Sequence, residues 1–171
     1  MNSAVLFREV QRFRQVWLWL LIAPGPVVIW YRAFRHLVFE SNPRPSGLQI
    51  VSWLVGGVAL PVLLYSIRLV TEVRNDGLYL RFFPFHSSFL RFPVNGIRSC
   101  EAITYSPIGE YGGWGIRYGW NGKAYNVSGN QGIQLELVEG RRILIGSQRP
   151  PEFLAALQLL GKSPKLSTLP T

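Results

Sequence analysis

The architecture of the chain follows from one apolar stretch, Leu48-Gln-Ile-Val-Ser-Trp-Leu-Val-Gly-Gly-Val-Ala-Leu-Pro-Val-Leu-Leu-Tyr-Ser-Ile67. It lies in a segment, residues 45–67, that contains no Asp, Glu, Lys or Arg. At about 1.5 Å of rise per residue, a helix over this segment covers about 34 Å, enough to cross the hydrocarbon core of a bilayer. We therefore predict a transmembrane helix over residues 47–67. Gly56 and Gly57 would let a neighbouring helix approach closely, and Pro61 would kink the helix.

A second uncharged stretch, residues 15–31, precedes this helix and predicts a first transmembrane helix over residues 15–34. The run Pro24-Gly-Pro26 interrupts it, because proline lacks the N–H group that an α-helix uses. Two interpretations stay open, a kinked helix that spans the bilayer or a re-entrant segment. A signal peptide is disfavoured, since Glu9 lies before the stretch and no small-residue cleavage site follows it. The aromatic residues predicted to anchor both helices at headgroup level are Trp17, Trp19, Trp30, Tyr31 and Tyr65.

Arginines flank the two uncharged stretches unequally. Six lie before the first stretch or after the second, and three lie in the segment that connects them. Because cytoplasmic flanks carry more Lys and Arg than external ones, this predicts that both termini are cytoplasmic. Apolar residues from Leu6 to Trp17 also recur at helical spacing, which predicts a short interfacial helix or an extension of the first membrane helix. The outer arginines are Arg8, Arg12, Arg14, Arg68, Arg74 and Arg81, and the inner ones are Arg32, Arg35 and Arg44.

From Leu69 onward the chain has the pattern of an all-β domain. Turn sequences such as Asn75-Asp-Gly77 and Asn121-Gly122 separate short apolar or aromatic runs, as in tight hairpins. A helix is predicted after Pro150 and Pro151, with an apolar stripe that includes Phe153, Leu154, Leu157 and Leu160. Strands are predicted near residues 69–74, 78–84, 88–93, 98–105, 114–119, 123–128, 132–138 and 141–146.

This layout of seven or eight antiparallel strands and one C-terminal helix is that of a pleckstrin-homology (PH)-like domain. The runs Glu110–Arg117, Lys123–Gly129, Gly132–Leu137 and Arg142–Pro150 resemble a group of bacterial membrane proteins that carry two transmembrane helices before a PH-like domain. Most members of that group have no assigned function, so the resemblance supplies no catalytic residues. It implies a multi-pass protein of the bacterial inner membrane. The domains expected are a membrane segment, residues 1–68, a PH-like β domain, residues 69–161, and a flexible tail, residues 162–171.

The residues that usually carry catalysis are few and separated. His36 and His86 are far apart in the sequence, and Cys100 has only Glu101 beside it, which predicts no metal site and no nucleophile–base pair. The glycine-rich residues 109–132 do not follow a phosphate-loop pattern. We therefore expect no enzymatic activity, no cofactor and no small-molecule substrate.

The formal net charge of +9 comes from 18 Lys and Arg against 9 Asp and Glu. These cations are dispersed singly rather than in runs, which favours membrane lipids over nucleic acid as a partner. The residues predicted to contact anionic lipid headgroups are Arg68, Arg74, Arg81, Arg141 and Arg142.

Aromatic residues are in surplus on one hairpin. Alternation places Leu78, Leu80 and Phe82 on one side and leaves the other side aromatic. We predict that this other side meets a partner, or else that the helix and loops cover it. The function expected is a non-enzymatic, membrane-anchored module that docks to and stabilises a larger membrane protein complex. The alternative is a tethered binder of anionic lipid headgroups. The predicted partner contacts are Tyr79, Phe83, Phe85, Phe89, Trp114 and Trp120.

Overall fold

The computed structural model describes residues 4–39 and 44–161. The chain forms two compact units. The helical unit is Phe13–Ile67, and the β unit consists of the residues up to Arg12 together with those from Arg68 onward. The flexible tail that we predicted over residues 162–171 lies outside the described residues.

The helical unit contains α1 (Val16–Ile22), α2 (Pro24–Phe39), α3 (Gly47–Leu54), a π-helical turn (Val55–Ala59) and α4 (Leu60–Ser66). Ser46 and Gln49 form a capping box that starts α3. Between α1 and α2 the backbone of Ala23 keeps helical angles. The interruption therefore comes from the N–H groups that Pro24 and Pro26 lack.

One helix among the described residues, Gly47–Ser66 including the π turn, is long and apolar enough to cross a membrane, judged by length and composition alone. The mean hydropathy of its most apolar 18 residues is 1.9, and none of them is buried inside the structure. The first uncharged stretch gives two shorter helices, α1 and α2, neither of which meets the same length requirement.

The helix Gly47–Ser66 contacts α2 at two glycines. A Cβ atom on Gly56 would lie 2.6 Å from Ile29 Cδ1, and one on Gly57 would lie 3.0 Å from Trp30 Nε1. The predicted close approach of a neighbouring helix is thus confirmed. In an α-helix the N–H of residue 61 would bond the carbonyl of Gly57, but Pro61 has no N–H. Trp30 Nε1 donates to that carbonyl oxygen at 3.1 Å and so gives it a side-chain partner.

The β unit begins with a four-stranded antiparallel sheet. Its strands are β1 (Val5–Arg12), β2 (Arg68–Arg74), β3 (Gly77–Phe83) and β4 (Leu90–Pro93), hydrogen-bonded in that order. Leu78, Leu80 and Phe82 face inward and are buried, as the alternation in the sequence predicts.

A second sheet contains β5 (Ile97–Thr104), β6 (Gly115–Gly119), β7 (Gly122–Asn126), β8 (Gln131–Leu137) and β9 (Arg142–Gly146). The strand order is β5-β8-β9-β7-β6, with β7 parallel to β9 and the other pairs antiparallel. A short helix, α5 (Pro107–Tyr111), precedes β6, and α6 (Pro150–Gly161) closes the described chain.

Helix α6 completes the core of the β unit. Phe153 is fully buried and stacks on Phe7 of β1 with ring centroids 5.1 Å apart. Leu157 and Leu160 are also buried, as predicted, whereas Leu154 is only partly buried. Two sheets and a C-terminal helix fit a PH-like domain, so the mainly-β prediction is confirmed. All eight predicted strands are present, as β2–β9.

The prediction of an amphipathic helix near residues 6–17 is wrong over most of its length, because Val5–Arg12 is strand β1 and helix begins only at Val16. This strand belongs to the β unit, whereas the sequence analysis grouped it with the membrane segment. Its inward residues include Glu9 and Gln11, both buried, while Leu6 and Val10 are exposed. Both faces of the strand therefore mix polar and apolar residues, which hid the strand in the sequence.

Candidate functional site

The outer surface of the first sheet carries interleaved arginines and aromatic rings, which we call the arginine–aromatic face. Because the inward positions of β3 are apolar, its alternate residues Tyr79, Arg81 and Phe83 point outward. The register places Arg12, Arg68 and Phe83 in one row across three strands. The face consists of Arg8, Arg12, Arg68, Arg74, Tyr79, Arg81, Phe83, Phe89 and Arg91.

Guanidinium groups cover the rings of this face. The Arg74 guanidinium carbon lies 4.4 Å from the Tyr79 ring centre and 5.5 Å from that of Phe89. Those of Arg68 and Arg81 lie 5.0 Å and 5.6 Å from the Phe83 ring. A cation–π contact of this kind contributes about 0.5–1 kcal/mol at an exposed site. The arginines therefore cover much of the aromatic surface for which we predicted either a partner or a covering helix.

Two carboxylates organise these arginines. The buried carboxylate of Glu72 accepts hydrogen bonds from Arg74 at 2.6 and 2.9 Å and lies 3.3 Å from Arg8. Asp76 accepts a 2.6 Å bond from the Tyr79 hydroxyl and pairs with Arg91 at 3.0 Å. The Tyr79 bond lowers the pKa of Asp76 and raises the pKa of Tyr79. With six arginines against these two acids, the face is strongly positive.

A separate concavity of about 600 Å³, the basic cleft, lies between the first sheet and the β6–β7 hairpin. Its cationic residues come from β4, β7, the turn before β9 and the first residue of β9, and no Asp or Glu is among its described lining residues. Volumes of 300–1,000 Å³ are typical of small-molecule sites. The lining residues with polar or charged side chains are His86, Arg91, Tyr118, Lys123, Tyr125, Arg141 and Arg142.

Lys123 is the central cation of the basic cleft. Its ammonium lies 5.1 Å from the ring centre of Tyr118 and 5.0 Å from that of Tyr125. Interaction with the Tyr125 side chain is the largest influence that raises the pKa of Lys123, which therefore stays charged. Burial, followed by the charge of Lys123, lowers the pKa of His86. His86 Nδ1 accepts a hydrogen bond from the backbone N–H of Phe82 at 3.2 Å, as a neutral imidazole can.

The tip of the β6–β7 hairpin presents bare aromatic surface. Trp120 is 97% exposed and Tyr118 is 76% exposed. Trp114, which precedes β6, is partly buried and donates its indole N–H to the carbonyl of Gly129 at 3.0 Å. Phe85, in the turn after β3, is exposed and lies 5.9 Å from the buried ring of Phe82.

The structure separates residues that the sequence analysis grouped. Arg68, Arg74 and Arg81 share the arginine–aromatic face, but Arg141 and Arg142 line the basic cleft. Tyr79, Phe83 and Phe89 join the first set of arginines, away from the exposed hairpin tip. Lys123 and Arg91 were not among the residues predicted to bind a ligand. The available signal was the Asn121-Gly122 turn, which places Lys123 at the start of β7.

The predicted interfacial anchors occupy different environments. Trp19 donates its indole N–H to the carbonyl of Phe13 at 3.2 Å and lies 6.3 Å from the Tyr65 ring. Trp30, in α2, donates its indole N–H to the carbonyl of Gly57 in the helix Gly47–Ser66. Tyr31 and Tyr65 are exposed, and the side chain of Trp17 is outside the described part of the structure.

Among the described residues, no three His, Cys, Asp or Glu side chains gather in a way that would hold a metal ion.

The family model of DUF6141, a family of unknown function, matches residues 1–161. The chain belongs to this family. No curated protein matches the sequence. In this DUF6141 protein the family match includes β1, the helical unit, the arginine–aromatic face and the basic cleft.

Proposed function

We propose that this DUF6141 protein is a non-enzymatic, membrane-anchored PH-like module of the bacterial inner membrane that docks to and stabilises a larger membrane protein complex. The observation that carries the anchoring is the helix Gly47–Ser66, which is uncharged throughout and whose most apolar 18 residues include none that is buried. Leu48, Val51 and Leu54 are among its exposed large side chains. Such a surface in water would drive aggregation, whereas lipid acyl chains solvate it.

Chain connectivity supports a hairpin rather than a single crossing. Arg12 and Arg68 are register partners on neighbouring strands, so the helical unit leaves and rejoins the sheet at adjacent positions. If the helix 47–66 crosses the bilayer, the chain must cross a second time to return. Helices α1 and α2 are the elements available for that crossing. The bond from Trp30 to the Gly57 carbonyl supports the pairing, because an unpaired carbonyl in lipid costs several kcal/mol.

Docking is proposed at the tip of the β6–β7 hairpin. Trp and Tyr are enriched at the centres of protein interfaces, and Trp120 has almost its whole side chain in solvent. We propose that it inserts into an apolar pocket of another inner-membrane subunit. Among the aromatic residues of the tip, Trp120 is the one we propose for this contact, because Tyr118 already has the Lys123 ammonium 5.1 Å from its ring centre.

Membrane extraction tests the anchoring. After an alkaline carbonate wash, the full-length protein is expected in the membrane pellet, and its quantitative release into the supernatant would refute the anchor. Co-purification in mild detergent tests the docking. Trp120→Ser is expected to remove a partner that the wild type retains, while the control Val138→Ser, another exposed apolar site, retains it. Wild-type protein that emerges alone contradicts the docking proposal.

The arginine–aromatic face favours a second candidate function, contact with anionic lipid headgroups. Near a negative membrane surface each cation contributes about 1 kcal/mol. The row Arg12, Arg68 and Phe83 lies where β1 and β2 lead into the helical unit. In vesicles with and without phosphatidylglycerol, Arg68→Gln with Arg81→Gln should reduce lipid crosslinking to this face in anionic vesicles only. Equal crosslinking of wild type and variant would reject this candidate.

A further inference from the structure

The connection between β3 and β4, residues 84–89, is an uncharged loop with an exposed aromatic ring, and we call it the Phe85 loop. Its sequence, Pro-Phe-His-Ser-Ser-Phe, contains no Asp, Glu, Lys or Arg. Phe85 is 62% exposed, although the ring of Phe82, 5.9 Å away, is buried. Burial is the main influence that lowers the pKa of His86, so the loop stays neutral at neutral pH. The tip of the loop is therefore apolar.

Hydrogen bonds to the end of β3 fix the shape of the Phe85 loop. The backbone N–H of His86 donates to the carbonyl of Phe82 at 2.8 Å, and the backbone N–H of Phe82 donates to His86 Nδ1 at 3.2 Å. Phe85 lies inside the turn that these two bonds close. Because the turn is already ordered, a contact made by this ring costs little further conformational entropy.

Two arginines surround the base of the loop. The guanidinium carbons of Arg68 and Arg81 lie 5.0 Å and 5.6 Å from the ring centre of Phe83. Within the described chain, no carboxylate forms an ion pair with either arginine. An apolar tip above unpaired cations suits a lipid interface, where acyl chains accept the ring and anionic headgroups attract the cations.

The Phe85 loop leaves the first sheet at the same end as the two connections to the helical unit. Arg12 pairs with Arg68, and Arg68 pairs with Phe83, so the ends of three neighbouring strands stand side by side. Only Ile67 separates α4 from β2. Two residue steps cover at most about 7 Å, so a helix that ends at the membrane surface keeps this end of the sheet beside that surface.

We propose that the Phe85 loop inserts its exposed ring into the interfacial region of the bilayer and so holds the β unit against the membrane. The proposal rests on the membrane anchoring proposed above, because the anchor supplies the surface that the loop reaches. It adds to the second candidate function, in which the arginine–aromatic face attracts anionic headgroups through charge. Removal of apolar area from water drives the insertion of a ring, so the insertion persists in lipid without net charge.

The test places an environment-sensitive fluorophore on single cysteines of the full-length protein, in a Cys100→Ser background. The three sites are Ser87→Cys, exposed in the Phe85 loop, Val62→Cys in the helix Gly47–Ser66, and the control Val138→Cys. Val138 is exposed and apolar, and its N–H donates to the carbonyl of Gly96, which follows the end of β4 farthest from Phe83. The protein is reconstituted in phosphatidylcholine nanodiscs with or without a nitroxide high on the acyl chain.

The Ser87 and Val62 probes should each lose at least about half of their emission to the nitroxide, whereas the Val138 probe keeps its emission. Adding Phe85→Ser should restore the emission of the Ser87 probe, and thermal unfolding checks that each variant is folded. Quenching at Val62 but not at Ser87 would overturn this inference, leave the membrane anchoring intact and leave the exposed ring to a protein contact. Quenching at neither site would overturn both proposals. Equal quenching of the Ser87 probe with and without Phe85→Ser would show that the ring does not insert.

Discussion

Replacing Glu9 tests how firmly β1 is held in the β unit. The carboxylate is buried, with one oxygen 2.6 Å from Ser147 Oγ and the other 2.8 Å from the backbone N of Gln148, both of which donate to it. Glu9→Ala leaves these two donors without their acceptor. A buried donor left unpaired costs about 1–3 kcal/mol, so the expected loss of folding free energy is about 2–6 kcal/mol. Glu9→Gln keeps one acceptor oxygen and should lose about half as much.

The assay is thermal unfolding of the full-length protein in mild detergent, with hydrogen exchange of residues 5–12 measured by mass spectrometry. Each kcal/mol lost lowers the midpoint by about 2–8 °C at this size. The control, Glu101→Ala, removes an exposed carboxylate and should change the stability by less than about 0.5 kcal/mol. Equal midpoints and equal exchange in Glu9→Ala and Glu101→Ala would show that this network does not hold β1.

Three further predictions concern other parts of the chain. Gly132→Ala should destabilise the β unit by about 1–3 kcal/mol in thermal unfolding, because its Cβ would lie 2.4 Å from the carbonyl oxygen of Ile145; an unchanged midpoint would contradict the packing described. Trp30→Phe should weaken the helix pair by about 1 kcal/mol, measured as faster proteolysis of the helical unit, because it removes the only side-chain hydrogen bond described for the Gly57 carbonyl; unchanged cleavage would argue against that bond. Stability should also fall as the pH drops below about 6.5. The pKa of His86 is lowered in the folded protein, so the unfolded chain binds a proton on this residue at a higher pH than the folded chain does. A His86→Gln variant should show a shallower dependence of stability on pH, and an identical slope would refute this assignment.

Most of the β unit could be predicted from local pattern. The Asn75-Asp-Gly77 and Asn121-Gly122 turns mark the hairpins β2–β3 and β6–β7, and the alternation around Leu80 assigns its inner face correctly. The glycine pair in the second apolar helix likewise identified where a neighbouring helix packs. In each case the deciding contacts are close in sequence or repeat with a fixed period.

Strand β1 could not be predicted in the same way. Its partner β2 comes after the entire helical unit, so no neighbouring turn marks the pair. Its buried polar side chains bond groups that are distant in the sequence, since Gln11 Nε2 donates to the carbonyl of Gly146 at 2.6 Å. The basic cleft was hidden for a similar reason, because Arg91, Lys123 and Arg142 come from three separate strands. Single dispersed cations reveal a site only when the topology is known.

The pairing of Arg12 with Arg68 has a practical consequence for expression of the β unit in water. A truncated polypeptide that starts at residue 68 would leave the edge of β2 uncovered and Phe153 without its stacked ring. Joining Arg12 to Arg68 through a two-residue Asn-Gly turn instead makes β1 and β2 an ordinary hairpin, since the two residues already face each other across the ladder. That recombinant polypeptide would keep both positive surfaces while dispensing with detergent.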